Sequence, residues 1–340
     1  MKEAKANPRD NYLVIVPEQF TMQTQRQLVD LSENKAIMNI DVLSFKRLAY
    51  RVFDELGITN LTVLEETGKN LVLRKLAAQE ADKLGIIGRN LNRIGYISEV
   101  KSLLSELVQY NISPEELGRY IASGRLSDTL SDKLKDVLVL YEAFEKFMQD
   151  KYITAEEILN ELSNVAEESA ILRNSVIAFD EFTGFTPIQN QLIKKLFVIS
   201  KKIYVTLTID CREDIFKSRG MQELFDMPKR TVKSLTEMAA FYGIEVEEPI
   251  ILDKNYRLAE NEELSFMEQQ LFRKRRGSFK KAPKHIHIDC LRDPKQELTK
   301  IARRINELVR NENLRYRDIA IVTGDVNIYC LLYTSDAADD

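Results

Sequence analysis

A long stretch of helical sequence interrupts an alternation of strands and helices, and this interruption limits the possible folds more than any other feature. Four short apolar runs predict buried parallel strands, at residues 12–16, 37–43, 176–179 and 203–209. Helical periods follow the first two, over 20–31 and from Phe45 onward, with Ser44 at the N-cap position. Between residues 61 and 169 the apolar spacing is helical throughout, and no strand is expected. The pattern predicts an α/β parallel-sheet domain with a large all-helical insertion.

A second α/β domain is expected to begin near residue 285, because the runs 286–290 and 319–322 are typical of strands and flank a helical period over 294–309. The basic segment 271–284 before it contains Gly277 and Pro283, and we interpret it as a linker. A solvated hinge is favoured there over a patch that follows phosphates. The expected division is 1–60 and 171–270 for the sheet domain, 61–170 for the insertion, 271–284 for the linker, 285–329 for the second domain and 330–340 for an acidic tail of non-native sequence.

Composition excludes several classes of protein. The 49 Lys and Arg residues against 53 Asp and Glu residues leave a net charge of −4, so any contact with nucleic acid must use a local patch. The three cysteines lie far apart, which excludes a disulfide framework or a cysteine metal site built from this chain alone. No apolar run approaches the ~20 residues that span a bilayer. We therefore expect a cytoplasmic protein without membrane contact.

The clearest chemical signal is the pair Asp180 and Glu181, directly after the apolar run 176–179. Carboxylates at the carboxyl end of a parallel strand face the crevice where α/β sheets bind ligands. In nucleotide hydrolases the first such carboxylate holds Mg²⁺ through water and the second orients the attacking water. An acidic turn without chemistry is about equally compatible with so short a pattern. His285 and His287 share one face of an expected strand, and a packed role is favoured for them over metal binding.

Four segments resemble motifs of the superfamily 1 helicases of the UvrD, Rep and RecB kind. They are 44–53 (motif Ib), 180–189 (motif II), 210–220 (motif III) and 252–257 (motif IV), in the order of that superfamily. Within it, VPEQF at 16–20, VLSFKRLAYRVF at 42–53 and DEFTGFTP at 180–187 most closely resemble the B subunits (AddB) of the bacterial AddAB helicase–nucleases. The resemblance implies a P-loop NTPase (RecA-like) domain 1A, a helical insertion 1B and the start of a second RecA-like domain 2A.

The resemblance also implies sites and partners. It places DNA contacts at Ser44, Phe45, Lys46 and Arg47, and a weak nucleotide-side role at Arg257 and Glu213. A helix N-terminus with a hydroxyl and a cation suits a phosphate, although Ser44 could equally serve only as a helix cap. The implied parent uses ATP and Mg²⁺, acts on DNA ends and single strands, and pairs with an AddA-like motor and nuclease subunit. Its iron–sulfur cluster would lie in a C-terminal nuclease domain outside this chain, so no cofactor is expected here.

The departures from the motor pattern determine the expected function. A glycine-rich P-loop is missing, and Gly68-Lys69-Asn70 lies inside a helical period and is not one. Within the motifs, Thr183-Gly184 replaces Gln-Asp, Glu213 replaces Gln and Ser218 replaces a base-stacking aromatic. We therefore predict a degenerate helicase half that guides DNA and acts as a scaffold in recombinational repair of double-strand breaks. The alternative is a fragment of an active DNA-dependent ATPase whose P-loop precedes residue 1; a helical adaptor that binds no nucleic acid would require the motif order to be coincidental.

Overall fold

The computed structural model describes residues 1–59, 62–86, 88, 94–124, 126–149, 152–271, 277–324 and 329. The chain divides into two compact units, Met1–Leu252 and Asp253–Asp340. The expected tail at 330–340 lies outside the described residues. No helix of the described part is long and apolar enough to cross a membrane.

The first unit is built on a four-stranded parallel sheet with the order β2-β1-β5-β6. Its strands are β1 (Asn11–Ile15), β2 (Ile40–Leu43), β5 (Ser175–Phe179) and β6 (Lys202–Val205). The predicted α/β class and parallel sheet are thereby confirmed. The strand expected over 203–209 ends early, because Val205 pairs with Phe179, the last residue of β5, and no neighbour continues beyond it.

Helices cover both faces of this sheet. The helices of the first unit are α1 (Lys2–Ala6), α2 (Thr21–Leu31), α3 (Phe45–Leu56), α4 (Glu66–Gln79), α5 (Ile94–Gln109), α6 (Pro114–Ala122), α7 (Asp128–Met148), α8 (Ile158–Val165), α9 (Ala170–Arg173), α10 (Pro187–Ile199) and α11 (Asp226–Phe241). Side chains alternate along a strand, so Leu13 and Ile15 face a core shared with α3, α8 and α10, whereas Tyr12 packs with Ala4 of α1 and Leu28 of α2.

Helices α4 to α7 form a helical block with its own core, which includes Leu73, Leu140 and Phe144. Contrary to the expectation of no strand between 61 and 169, the chain enters and leaves this block through a short parallel pair, β3 (Val63–Leu64) with β4 (Ile153–Thr154). Two residues per strand are too few to show a period of two in a sequence. Helix α8 also differs from its expected place within 61–170, because Ile158 and Leu162 pack in the sheet core.

The second unit contains α12 (Glu262–Gln270) and α13 (Pro294–Asn311). The runs 286–290 and 319–322, expected to be strands, are not strands in this structure, because neither pairs with another described segment. The unit also begins at residue 253, earlier than the expected linker at 271–284.

The described part of that linker, 277–284, is held against α12. Glu263 accepts hydrogen bonds from the backbone N–H groups of Lys284 (2.6 Å) and His285 (2.8 Å). The rings of Phe266 and Phe279 lie 5.4 Å apart. Residues 277–284 are exposed except for the half-buried Phe279, as expected of a solvated segment, but these contacts tether them to α12; residues 272–276 lie outside the described residues.

Candidate functional site at the carboxyl edge of the sheet

The ends of all four strands meet at one edge of the sheet, and hydrogen bonds fix the residues that follow them. The N–H of Val16 donates to Leu43, that of Asp180 to Ile15 and that of Thr206 to Phe179, each at 2.9 Å. The ladder thus continues one residue past each of β1, β5 and β6. The first residues of the connecting loops consequently have defined positions.

The edge contains the topological switch point of the sheet. Strand β1 connects through α2 to β2 on one side, and its neighbour β5 connects through α10 to β6 on the other. Parallel sheets bind ligands in the crevice at such a point. Pro17 and Glu18 follow β1 here, and Asp180 and Glu181 follow β5. The carboxylates predicted from the sequence therefore lie where this architecture places ligands.

The two carboxylates after β5 are held differently. The half-buried Asp180 accepts a hydrogen bond through Oδ1 from the hydroxyl of Thr206, the residue after β6. Glu181 is exposed and has a left-handed backbone with φ of +64°. Such a conformation is costly for a residue other than glycine, and persists where its surroundings impose it. Thr206 was missed in the sequence, although its place after a neighbouring parallel strand could have identified it.

The N-terminus of α3 forms the other part of the edge. The buried Ser44 hydroxyl accepts the N–H of Arg47 at 3.3 Å and donates to Glu18 Oε2 at 3.5 Å. Ser44 therefore caps α3, which is one of its two predicted roles. Its other predicted role, a contact with DNA, stays a prediction. Lys46 and Arg47 are exposed, and Tyr50, one turn further along, is 40% exposed. Glu18 and Tyr50 were not identified as site residues from the sequence.

Phe45 requires a correction, because it is only 6% exposed and lies in the core. Its ring is 5.7 Å from that of Phe179, 5.6 Å from that of Phe182 and 6.4 Å from that of Phe185. We call residues 180–186 the first edge loop. Phe45 therefore fixes this loop to α3 through aromatic packing and presents no free face for DNA.

Gly184 lies where the first edge loop packs closely against α11. A Cβ at this position would lie 3.2 Å from Oγ1 of Thr231 and 3.3 Å from Cγ of Met227, both on α11. The Thr231 hydroxyl also donates to the carbonyl of Thr183 at 3.0 Å. Glycine thus allows α11 to pack directly against the loop.

The second edge loop, residues 206–225, is held by charges. The Nζ atom of Lys229, whose side chain is 2% exposed, lies 2.7 Å from Glu213 and 3.2 Å from Glu223. Its hydrogen bond with Glu213 raises the pKa of Lys229. Glu213 is therefore engaged in an ion pair within the protein, which corrects its expected nucleotide-side role. Ser218, in place of the stacking aromatic, donates to Asp226.

The residues at this edge fit only part of a nucleotide site. Asp180 and Glu181 are suitable Mg²⁺ ligands, but Mg²⁺ in nucleotide sites is also held by phosphates that the protein must bind. Val16-Pro17-Glu18 after β1 and Thr206-Leu207 after β6 include no glycine or lysine, and Lys46 after β2 lies in the first turn of α3 and not in a glycine-rich loop. Lys69 is inside α4 and paired with Glu156. The described residues contain no group of three His, Cys, Asp or Glu that could hold a metal.

Arg257, expected on the nucleotide side, belongs to the second unit and is exposed there. Its nucleotide-side role stays a prediction from the motif. Cys211 and Cys290 are both exposed free thiols.

The family model described as ADDB, N-terminal, matches residues 1–268. The chain belongs to the AddB N-terminal family. The matched segment includes the sheet, the helical block and both edge loops, and it ends within α12.

Individual relatives agree with this assignment. The chain is 38% identical over 327 residues to the B subunit of an ATP-dependent helicase/deoxyribonuclease from Lachnoclostridium phytofermentans, covering 95% of this chain and 28% of that protein. Proteins of the same name from Clostridium tetani and Clostridioides difficile are each 32% identical, over 337 and 340 residues, with 96% and 98% of this chain and 29% of each relative covered. The chain thus spans less than a third of the length of these relatives.

Proposed function

We propose that this chain is the N-terminal, helicase-like region of the B subunit of an ATP-dependent helicase/deoxyribonuclease that acts in recombinational repair of DNA double-strand breaks. Its role there is to guide DNA and to serve as a scaffold, while a partner AddA-like motor and nuclease subunit supplies the ATP-driven movement. The observation that carries the proposal is the carboxyl edge of the sheet, where the N-terminus of α3 presents two exposed cations but no glycine-rich, lysine-bearing loop directly follows β1, β5 or β6.

The finer parts of the proposal follow from the same assignment. The first unit corresponds to a RecA-like domain 1A with insertion 1B, and the second unit contains the beginning of domain 2A. An iron–sulfur cluster would belong to a C-terminal nuclease domain of the parent protein. The exposed thiols of Cys211 and Cys290 fit a reducing cytoplasm, where free cysteines persist.

The proposed DNA contact lies on the exposed face of α3. Arg47 and Lys46 lie in its first turn, where the helix dipole and the free backbone N–H groups add to their positive charge. The exposed ring of Tyr50 is one turn away and offers a surface for a base. Ser44 and Phe45 support this face, the first as a cap and the second from the core.

Single-stranded DNA affinity, measured against salt concentration, tests the contact. Arg47→Ala is expected to weaken binding and to reduce the salt slope by about 0.7, the value for one phosphate contact on a single strand. Arg26→Ala, an exposed cation on α2, is the matched control and should leave both unchanged. Unchanged affinity and slope in Arg47→Ala would refute the contact.

A second candidate function, ATP hydrolysis, is favoured by one observation, namely that Asp180 is fixed by Thr206 at the switch point. The proposal predicts no DNA-stimulated ATP hydrolysis by the chain, because holding Mg²⁺ and water is useful only where phosphates are bound. Hydrolysis that disappears in Glu181→Gln would favour the second candidate. Glu181→Gln should otherwise behave like the unaltered chain in this assay.

A further inference from the structure

Lys69 is a buried cation in the middle of α4. Its side chain is 3% exposed, and its Nζ atom lies 2.7 Å and 3.0 Å from the two carboxylate oxygens of Glu156. Glu66, one turn earlier on α4, is 3.0 Å away, and Ser105 on α5 is at 3.5 Å. The ammonium group of Lys69 is thus surrounded by side-chain oxygens, two of them on Glu156.

The ion pair spans the place where the chain enters and leaves the helical block. Lys69 lies in α4, which follows β3, and Glu156 follows β4 by two residues. The strands themselves contribute little, since they pair only Val63 with Ile153 and Leu64 with Thr154. The Lys69–Glu156 contact therefore holds the two crossings together directly beside this short pair.

The surroundings of the pair are mainly apolar. The small cavity beside it is lined by Leu73, Leu104, Val108, Tyr141 and Phe144, together with Thr154, Lys101 and Ser105. Lys101 is occupied at 2.6 Å by the other oxygen of Glu66. The energy of a charge pair in such surroundings depends strongly on its geometry, but the attraction is largely offset by the cost of removing both ions from water.

The neighbouring carboxylate, Glu157, lies among other acidic side chains and not in mainly apolar surroundings. It accepts the N–H of Thr154 at 2.6 Å and lines a cavity of about 560 Å³. The acidic residues of that cavity come from α6, α7 and the start of α8: Glu115, Glu142, Glu145, Glu157 and Glu161, with Lys146 as the cation among its lining residues. Burial, followed by the charge of Glu115, raises the pKa of Glu145. Like charges therefore repel across the junction on this side.

We propose that the Lys69–Glu156 pair is a latch that holds the helical block in one arrangement on the sheet. It acts at the neck, which we define as β3, β4 and residues 155–157, and it opposes the repulsion among the carboxylates that line the cavity beside Glu157. The latch specifies an arrangement and adds little to overall stability, because desolvation offsets the attraction. The latch would act in the same way whether or not the chain binds DNA. Lys69 is accordingly a positioning residue.

The test compares Lys69→Met/Glu156→Met with the unaltered chain by hydrogen–deuterium exchange and by thermal unfolding. We expect exchange of residues 153–157 to become at least tenfold faster, while the exchange of β1 and β5 stays unchanged and Tm stays within about 3 °C. Lys69→Met alone should lower Tm further than the double variant, because it leaves the Glu156 carboxylate buried without its cation.

Lys83→Met/Glu80→Met removes a pair at 2.6 Å in the same block, with Lys83 exposed and Glu80 half-buried, and is the matched control. It should change neither Tm nor the exchange of the neck. Wild-type exchange at 153–157 in the Lys69/Glu156 double variant would overturn the latch. A double variant less stable than Lys69→Met would overturn the claim that the pair specifies more than it stabilises.

Discussion

The two loops at the carboxyl edge are held in place by different physical means. The first edge loop is fixed by aromatic rings, with Phe182 and Phe185 packed 5.1 Å apart and both against Phe45. The second edge loop is fixed mainly by the charge of Lys229. Apolar packing depends little on pH or salt, whereas partly exposed ion pairs depend on both. The carboxylates Asp180 and Glu181 are thus carried by the loop whose support is insensitive to ionic conditions.

Phe45→Ala should have the largest effect, because it removes the ring shared by α3, β5 and the first edge loop. We expect a loss of about 3–5 kcal/mol in the free energy of unfolding, measured in urea and unchanged by added salt. Phe241→Ala, at a residue that is 83% exposed, is the control and should change little. A loss below about 1 kcal/mol would mean that aromatic packing does not hold this loop.

Lys229→Met should have the next largest effect, because it removes the buried cation that both Glu213 and Glu223 contact, although Arg219 remains 3.6 Å from Glu223. The expected loss is about 2 kcal/mol, less than for a fully buried pair because Glu213 is 31% exposed. Lys233→Met, which breaks an exposed pair on the same helix, should be nearly neutral. Equal stabilities of the two variants would contradict the role given to Lys229.

Gly184→Ala tests how closely the first edge loop packs against α11. The added methyl group would press on Thr231 and Met227, so we expect a loss of about 1 kcal/mol. Met227→Ala should partly relieve it in the double variant. Gly95→Ala, where the new methyl group meets no atom within 4 Å, is the control and should be neutral or stabilising. Equal effects at the two glycines would argue against close packing of α11.

The smallest expected effect is a difference in acid sensitivity. The backbone N–H of Arg219 and then the Lys229 side chain lower the pKa of Glu223 from its ordinary value of 4.5. A lowered pKa in the folded state means that the stabilisation is present above pH 4.5 and is lost as the pH falls further. Hydrogen–deuterium exchange at residues 219–229 should therefore rise below pH 4.5 before that of 180–186. Glu223→Gln should remove this difference, and a simultaneous rise in both loops of the unaltered chain would contradict it.

Much of the fold could be predicted from local patterns. The apolar runs of β1 and β5 and the caps at Ser44 and Ser113 are local signals, and the structure has a strand or helix at each of them. The bounds of β6 could not be predicted, because they depend on where its neighbour β5 ends. The β3–β4 pair was missed for the same reason, since each strand exists only through a partner far away in the sequence.

The position of Asp180 could be predicted, because it follows directly from the end of β5. The roles of other motif residues could not be predicted, because their side chains can either face the site or contact other parts of the protein. Phe45 and Glu213 occupy motif positions, yet one packs in the core and the other neutralises a lysine from α11. The sequence contains no local sign of either partner, because Phe182 and Lys229 reach them only through the tertiary fold.

The parallel pairing of β3 with β4 has a consequence for the order in which the chain folds. Two paired residues regain little of the conformational entropy lost when Val63 and Ile153 close the long loop between them, so prior folding of the helical block favours their pairing. The contacts inside the helical block span shorter distances along the chain and can form early. Strand β5 reaches β1 across a still longer interval, so a compact block also shortens the loop that the central pairing of the sheet must close. A slow step in refolding should therefore be the docking of β5, with the helices of the block already formed.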